Sequence, residues 1–119
     1  PNVQRRIYGI VQEAQDKAIA EVKPGRIIAD IDSIGRKHIE EQGFGRYFGH
    51  SLGHGIGLEV HEEPSISSKN KAQHLEEGMV FTVEPGIYLP GRFGIRLEDM
   101  VLVTKKGSEV LSGAVNKSI

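Results

Sequence analysis

The chain has 119 residues, 15 basic and 16 acidic, a net charge of -1 and no cysteine. That is the length of one ordinary domain able to bury a core, without the basic excess that would point to nucleic acid or an anionic membrane surface. Lack of cysteine excludes disulfides, thiolate metal sites and cysteine nucleophiles; with no signal peptide and no apolar run of spanning length, it points to a cytoplasmic protein.

Pro1 opens the chain in place of an initiator Met, so a piece of something longer is expected. From about Val3 to Val22 the residues Ile7, Ile10, Val11, Ala14, Ala18 and Val22 recur at helical spacing. Asn2 suits an N-cap and Pro24-Gly25 a stop. A second helix is expected from about Ile28 to Glu41, with Ile31, Ile34 and His38 on its apolar stripe and Gly43 and Gly45 at its end. Gly35 inside it costs about 1 kcal/mol relative to Ala unless it permits close packing.

The character then turns extended. Tyr47 to Ile56 reads as a strand leading into a loop, and Pro64 to Gly78 as loop with one helical turn over Ala72 to Glu77. Met79 to Glu84 reads as a strand, Pro85-Gly86 as a kink, and Ile87 to Leu89 as its continuation. A turn over Pro90 to Gly94 precedes the strongest strand pattern, Ile95 to Thr104. Lys105 to Gly107 is another turn, followed by a short strand through Leu111; the tail from Ser112 has no pattern. Two helices followed by antiparallel strands make an α+β fold, with the helices packed on one sheet face. Alternation aims Phe81, Val83, Ile95, Leu97 and Val101 at the helices, with Asp99 on that side too. It turns Thr82, Glu84, Arg96 and Glu98 the other way.

That uncovered face is where chemistry gathers. His54, Glu84 and Glu98 offer one imidazole and two carboxylates, a ligand set for divalent ions. Taken singly, Arg96 and Glu98 read as surface ion-pair members; taken with His54 and Glu84 they read as a metal site, Glu98 bridging and Arg96 orienting a carboxylate. His50 and His61 flank His54 as further ligands, or as donors to a substrate carbonyl, or as loop histidines satisfied by backbone. His38 and His74 receive no role. Three other motifs fail. His61-Glu62-Glu63-Pro64 lacks the second histidine of a zincin, Gly53 to Gly57 lacks the helix of a dinucleotide loop, and Ser51 beside His50 points to the opposite face.

His50 through Glu62, Val83-Glu84-Pro85-Gly86-Ile87-Tyr88 and Gly94-Ile95-Arg96-Leu97-Glu98-Asp99, in that order, resemble the signature of the pita-bread metallopeptidases, peptidase family M24. The Glu-Pro-Gly-Ile-Tyr and Gly-Ile-Arg-Leu-Glu-Asp stretches are closer to the proline-specific branch, the Xaa-Pro dipeptidases (prolidases) and Xaa-Pro aminopeptidases, than to the methionine aminopeptidases. With Val22-Lys23-Pro24-Gly25 also typical, the likeness covers most of the chain.

The resemblance implies hydrolysis of Xaa-Pro peptides with two divalent ions, manganese foremost and cobalt, zinc or iron also used in the family. It implies that His54 ligates one ion, that Glu84 ligates and serves as general base, and that Glu98 bridges both. His50 and His61 become substrate-side histidines at the scissile carbonyl, and Arg96 a supporting arginine. The family also uses two aspartates on upstream strands, whereas Asp16, Asp30 and Asp32 here fall in helical patterns. The chain therefore resembles the C-terminal half of the catalytic domain, expected to be inactive alone. Half of a curved sheet leaves an open edge, so self-association as a homodimer is expected. The rival expectation is a non-catalytic module of the same fold that binds peptides or proteins.

Overall fold

The computed structural model describes residues 2–56 and 65–111. Helix α1 runs Asn2–Ala20 and buries Ile7, Ile10, Val11, Ala14 and Ala18, the stripe that the spacing predicts, with Gln15 added to it. Helix α2 runs Ile28–Glu41 and packs across α1. It ends as its glycine suggests. Gly43 takes φ 92°, its N–H reaches Glu40 O at 3.0 Å, and Phe44 N–H reaches Ile39 O at 3.1 Å, which satisfies carbonyls the helix would leave open. The glycine inside α2 does permit close packing: a Cβ on Gly35 would stand 3.2 Å from Leu52 Cδ1 and 3.6 Å from Ala14 O.

After a 3-10 turn at Gly45–Tyr47 come, among the described residues, seven short strands: β1 Gly53–His54, β2 Ser65–Ile66, β3 Val80–Val83, β4 Gly86–Leu89, β5 Phe93–Arg96, β6 Asp99–Val103 and β7 Ser108–Val110. All pair antiparallel, β1 with β2, β3 with β6, β6 with β7 and β4 with β5. The fold is thus α+β, with both helices against antiparallel strands. The parity argument holds for the helix side, where Phe81, Val83, Leu97, Val101 and Asp99 are fully buried and Ile95 nearly so; the opposite face is not bare throughout, because β1 lies against Thr82 and leaves it 1% exposed.

Three expectations fail for physical reasons. Tyr47 to Ile56 is not one strand, because only Gly53–His54, with β2, and Gly55, bridged to Phe81, find partners and residues 48–52 stay irregular. No helical turn forms over Ala72 to Glu77; backbone bonds from Gly25 N–H to Leu75 O and from Leu75 N–H to Arg26 O hold that segment extended along the start of α2. Ile95 to Thr104 is interrupted at Leu97 and Glu98, opposite the point where Pro85, which has no N–H, interrupts the other arm.

Candidate metal-binding and active site

The two interruptions face each other. Val83 pairs with Asp99 in one ladder and Gly86 with Arg96 in the next. Two residues remain on each arm, so the unchanged register sets Glu84 opposite Glu98 and Pro85 opposite Leu97. A bond from Leu97 N–H to Pro85 O, 3.3 Å, spans that gap. Opposed residues on neighbouring strands lie about 4.5–5.5 Å apart at Cβ, and like charges there are unfavourable. Two carboxylates opposed on one face are a costly arrangement for a surface and an apt one for a cation.

His54 is brought to the same place by β1. Its Nε2 lies 3.3 Å from Glu84 Oε2. Its Nδ1 lies 3.1 Å from Gly55 O, and a carbonyl can only accept, so Nδ1 carries a proton and donates it. Nε2 then turns its lone pair toward the carboxylate unless it too is protonated. Two acceptors at that separation need a proton or a cation between them, and donation from Nδ1 to a backbone carbonyl is how metal-ligating histidines are oriented. Thr82 secures both partners. Its hydroxyl accepts from His54 N–H at 3.0 Å and donates to Glu84 Oε2 at 2.6 Å. Arg96 Nη1 approaches the other oxygen, Oε1, at 3.8 Å from a half-exposed position, a weak, screened contact.

The close approach of β1 to β3 depends on Gly53. A Cβ there would fall 1.7 Å from Thr82 O, so any side chain would push His54 away from Thr82 and Glu84. Glu84 N–H donates to Leu52 O at 2.7 Å, which ties the glutamate motif to the histidine motif through backbone. His50 is held apart from this pair. Its Nδ1–H donates to Ser51 O at 2.7 Å, and its Nε2 accepts from the Tyr88 hydroxyl at 3.1 Å. An open cleft of about 510 Å³ lies beside it, walled by Arg36, Phe48, Ser67 and Lys69.

The structure thus brings His54, Glu84 and Arg96 together and sets Glu98 opposite by register. Among the described residues, His54, Glu84 and Glu98 included, no group of three or more His, Cys, Asp or Glu side chains is placed to hold a metal ion. His61 lies outside the described residues. The donor chemistry present, imidazole nitrogen and carboxylate oxygen, fits a hard or borderline divalent ion. Three contributors escaped the sequence. Thr82 falls on the correct face by alternation, but a threonine in a strand usually packs. Tyr88 lies in the Glu-Pro-Gly-Ile-Tyr motif, which was the available signal. Gln15, fully buried on α1, donates to Val83 O at 3.1 Å, directly before Glu84; its place in an apolar stripe hid that role.

Comparison with known proteins agrees with these motifs. The model of metallopeptidase family M24 matches residues 1–105. The Xaa-Pro dipeptidase of Pyrococcus horikoshii is 54% identical over 109 residues, 92% of this chain and 31% of that protein. The crystal structure of the prolidase from the same organism superposes with a TM-score of 0.89 at 53% identity, covering 92% of this chain and 31% of its own. The X-Pro aminopeptidase of Thermotoga maritima gives a TM-score of 0.92 at 48% identity, covering 98% of this chain and 33% of its own. The chain therefore spans about a third of the length of the relatives it matches. A family match over nearly the whole sequence, on a fold that sets a histidine against one of two opposed glutamates, establishes that this chain belongs to metallopeptidase family M24.

Proposed function

We propose that the protein containing this chain hydrolyses the peptide bond before proline in Xaa-Pro dipeptides or short peptides, and that the chain is the C-terminal half of its catalytic domain. The observation that carries this reading is the His54 Nε2–Glu84 Oε2 approach of 3.3 Å, with the Nδ1 proton committed to a carbonyl. The names of the relatives, Xaa-Pro dipeptidase and X-Pro aminopeptidase, support the substrate class.

His54, Glu84 and Glu98 would hold divalent ions together with donors from the rest of the protein. Such ions supply an activated water and polarise a carbonyl. Manganese leads among them because the resemblance to the proline-specific branch implies it; cobalt, zinc and iron are the alternatives, and the nitrogen and oxygen donors suit all four. The chain's own residues do the rest. Glu84 takes the proton released by the attacking water and passes it to the departing proline nitrogen. The Thr82 hydroxyl fixes Oε2 of that carboxylate, and Arg96 stands beside Oε1. His61 steadies the charge that develops on the scissile carbonyl oxygen, while His50, whose ring nitrogens are engaged by Ser51 O and the Tyr88 hydroxyl, lines the substrate side toward the proline.

The test is hydrolysis of Ala-Pro and of a longer Xaa-Pro peptide by the full-length protein with manganese, cobalt, zinc or iron(II). Turnover is expected, and His54→Ala or Glu98→Ala should abolish it. Retained turnover in either variant with manganese present refutes the assigned roles. That no group of three metal-binding side chains is in place among the described residues favours one rival, a non-catalytic module that binds peptides or proteins. Two aspartates, one soon after the other on a strand pair in the upstream sequence, would favour the enzyme; their absence would favour the rival.

A further inference from the structure

We propose that Asp32 and Arg36, one helical turn apart on α2, are positioning residues for the histidine motif and set the direction of His50. Residues 48–52 lie between the 3-10 turn and β1, and none of them belongs to a ladder. Phe48 and Leu52 are nevertheless buried, so their backbone polar groups need partners within the protein. The helix pair supplies them at alternate residues. Arg36 Nη1 donates to Phe48 O at 3.0 Å and Nη2 to His50 O at 2.8 Å. Asp32 Oδ2 accepts from Leu52 N–H at 3.0 Å.

The pair is itself bidentate, with Arg36 Nε to Asp32 Oδ1 at 2.9 Å and Nη2 to Oδ2 at 3.1 Å. The guanidinium also lies over the Phe48 ring, 4.3 Å from Cζ to the centroid, and that ring meets the His50 imidazole edge-on at 4.9 Å. Asp32 is fully buried. A buried ion pair is a poor device for stability alone, since an apolar pair of similar volume often serves as well. Here it grips three consecutive alternate positions, and the middle one is His50. The same Leu52 that donates to Asp32 accepts from Glu84 N–H, so the grip extends to the glutamate arm. Neither residue touches an imidazole nitrogen; both act through the backbone that carries it.

A lysine at position 36 keeps the charge but loses the planar fork that reaches several acceptors at once. Arg36→Lys and the milder Asp32→Asn are therefore compared with the wild type in the full-length protein. Ile7→Val, which thins the core under α1, serves as the structural control. The inference rests on the proposed peptidase reading for its kinetic consequence. In both variants kcat on Ala-Pro is expected to fall about 10–100-fold, as small misplacements of reacting groups do, with a smaller change in KM. The control should lower the melting temperature and keep kcat.

Carbon-13-labelled histidine supplies a readout that does not depend on activity. The His50 ring signal should move in Arg36→Lys, while that of His38, on the same helix but held by Glu13 and Lys17, should stay. An unmoved His50 signal in both variants overturns the inference, and so does full kcat in a variant whose His50 signal has moved. A wild-type protein inactive on Ala-Pro would defeat the peptidase reading, and the His50 signal would then decide the inference by itself.

Discussion

The glutamates stand on a long hairpin, with Val80–Val83 paired to Asp99–Val103 and Gly86–Leu89 paired to Phe93–Arg96 in one register. The histidines stand on a stretch that pairs with β2 over Gly53–His54 only; beyond that it is held by isolated backbone bonds to the β3 arm, from Glu84 N–H to Leu52 O and from Ile56 N–H to Val80 O, and by side chains from α2 and β3. In the hairpin, repeated backbone bonds fix position, and alternation decides which side chains reach the uncovered face. In the histidine stretch the ties are single and of mixed kind: the side chains of Arg36, Asp32 and Thr82, and isolated backbone bonds at Leu52 and Ile56. Such a segment is placed by a few contacts, and each of them matters more.

The contrast can be broken from either side. Leu97→Ala removes a fully buried side chain between the two ladders and should cost about 2–5 kcal/mol of unfolding free energy. The ladders on both sides remain, so a crystal structure of this variant should still show Glu84 opposite Glu98. A slipped register there would show that side-chain packing, not backbone pairing, sets the glutamates.

Gly53→Ala should cost less stability and harm the site more. The added methyl meets Thr82 O at 1.7 Å, and overpacking of this kind costs about 1–3 kcal/mol. The displaced strand should take His54 off Glu84, so Xaa-Pro hydrolysis should fall further than it does in Leu97→Ala. Equal or greater activity loss in Leu97→Ala would reverse the comparison.

Thr82→Val keeps the shape of the side chain and removes the hydroxyl shared by His54 N–H and Glu84 Oε2. A loss of about 0.5–1.5 kcal/mol in urea unfolding is expected, the usual net worth of such a hydrogen bond. An unchanged midpoint together with unchanged metal affinity would remove Thr82 from the site.

The smallest effect has the opposite sign. With metal chelated, Glu98→Gln should stabilise the protein by about 0.2–1 kcal/mol, because it relieves repulsion between directly opposed carboxylates. With manganese added, the ranking should invert, since the wild type gains binding free energy that the variant loses. A destabilised metal-free variant would mean that Glu98 serves the fold and not a cation.

Some of this architecture was written in the order of residues. The apolar spacing in α1 and α2 and the Pro24-Gly25 break placed both helices to within about two residues at each end. Alternation correctly sorted Phe81, Val83, Leu97 and Val101 from Glu84, Arg96 and Glu98, because every second residue of a strand shares a face. The three motifs also drew His54 and Glu84 from among many polar residues. What the sequence could not disclose was whatever depends on partners distant along the chain. Residues 48–52 have strand-like composition but no strand to join, so their course is set by Asp32 and Arg36, which look from sequence like an ordinary pair four apart on a helix. Thr82 and Gln15 gain their roles only once β1 and α1 are packed against β3. Periodicity is a property of local backbone geometry and can be read in one dimension. A hydrogen bond between residues 15 and 83 exists only after the chain has closed on itself, and only the tertiary structure decides it.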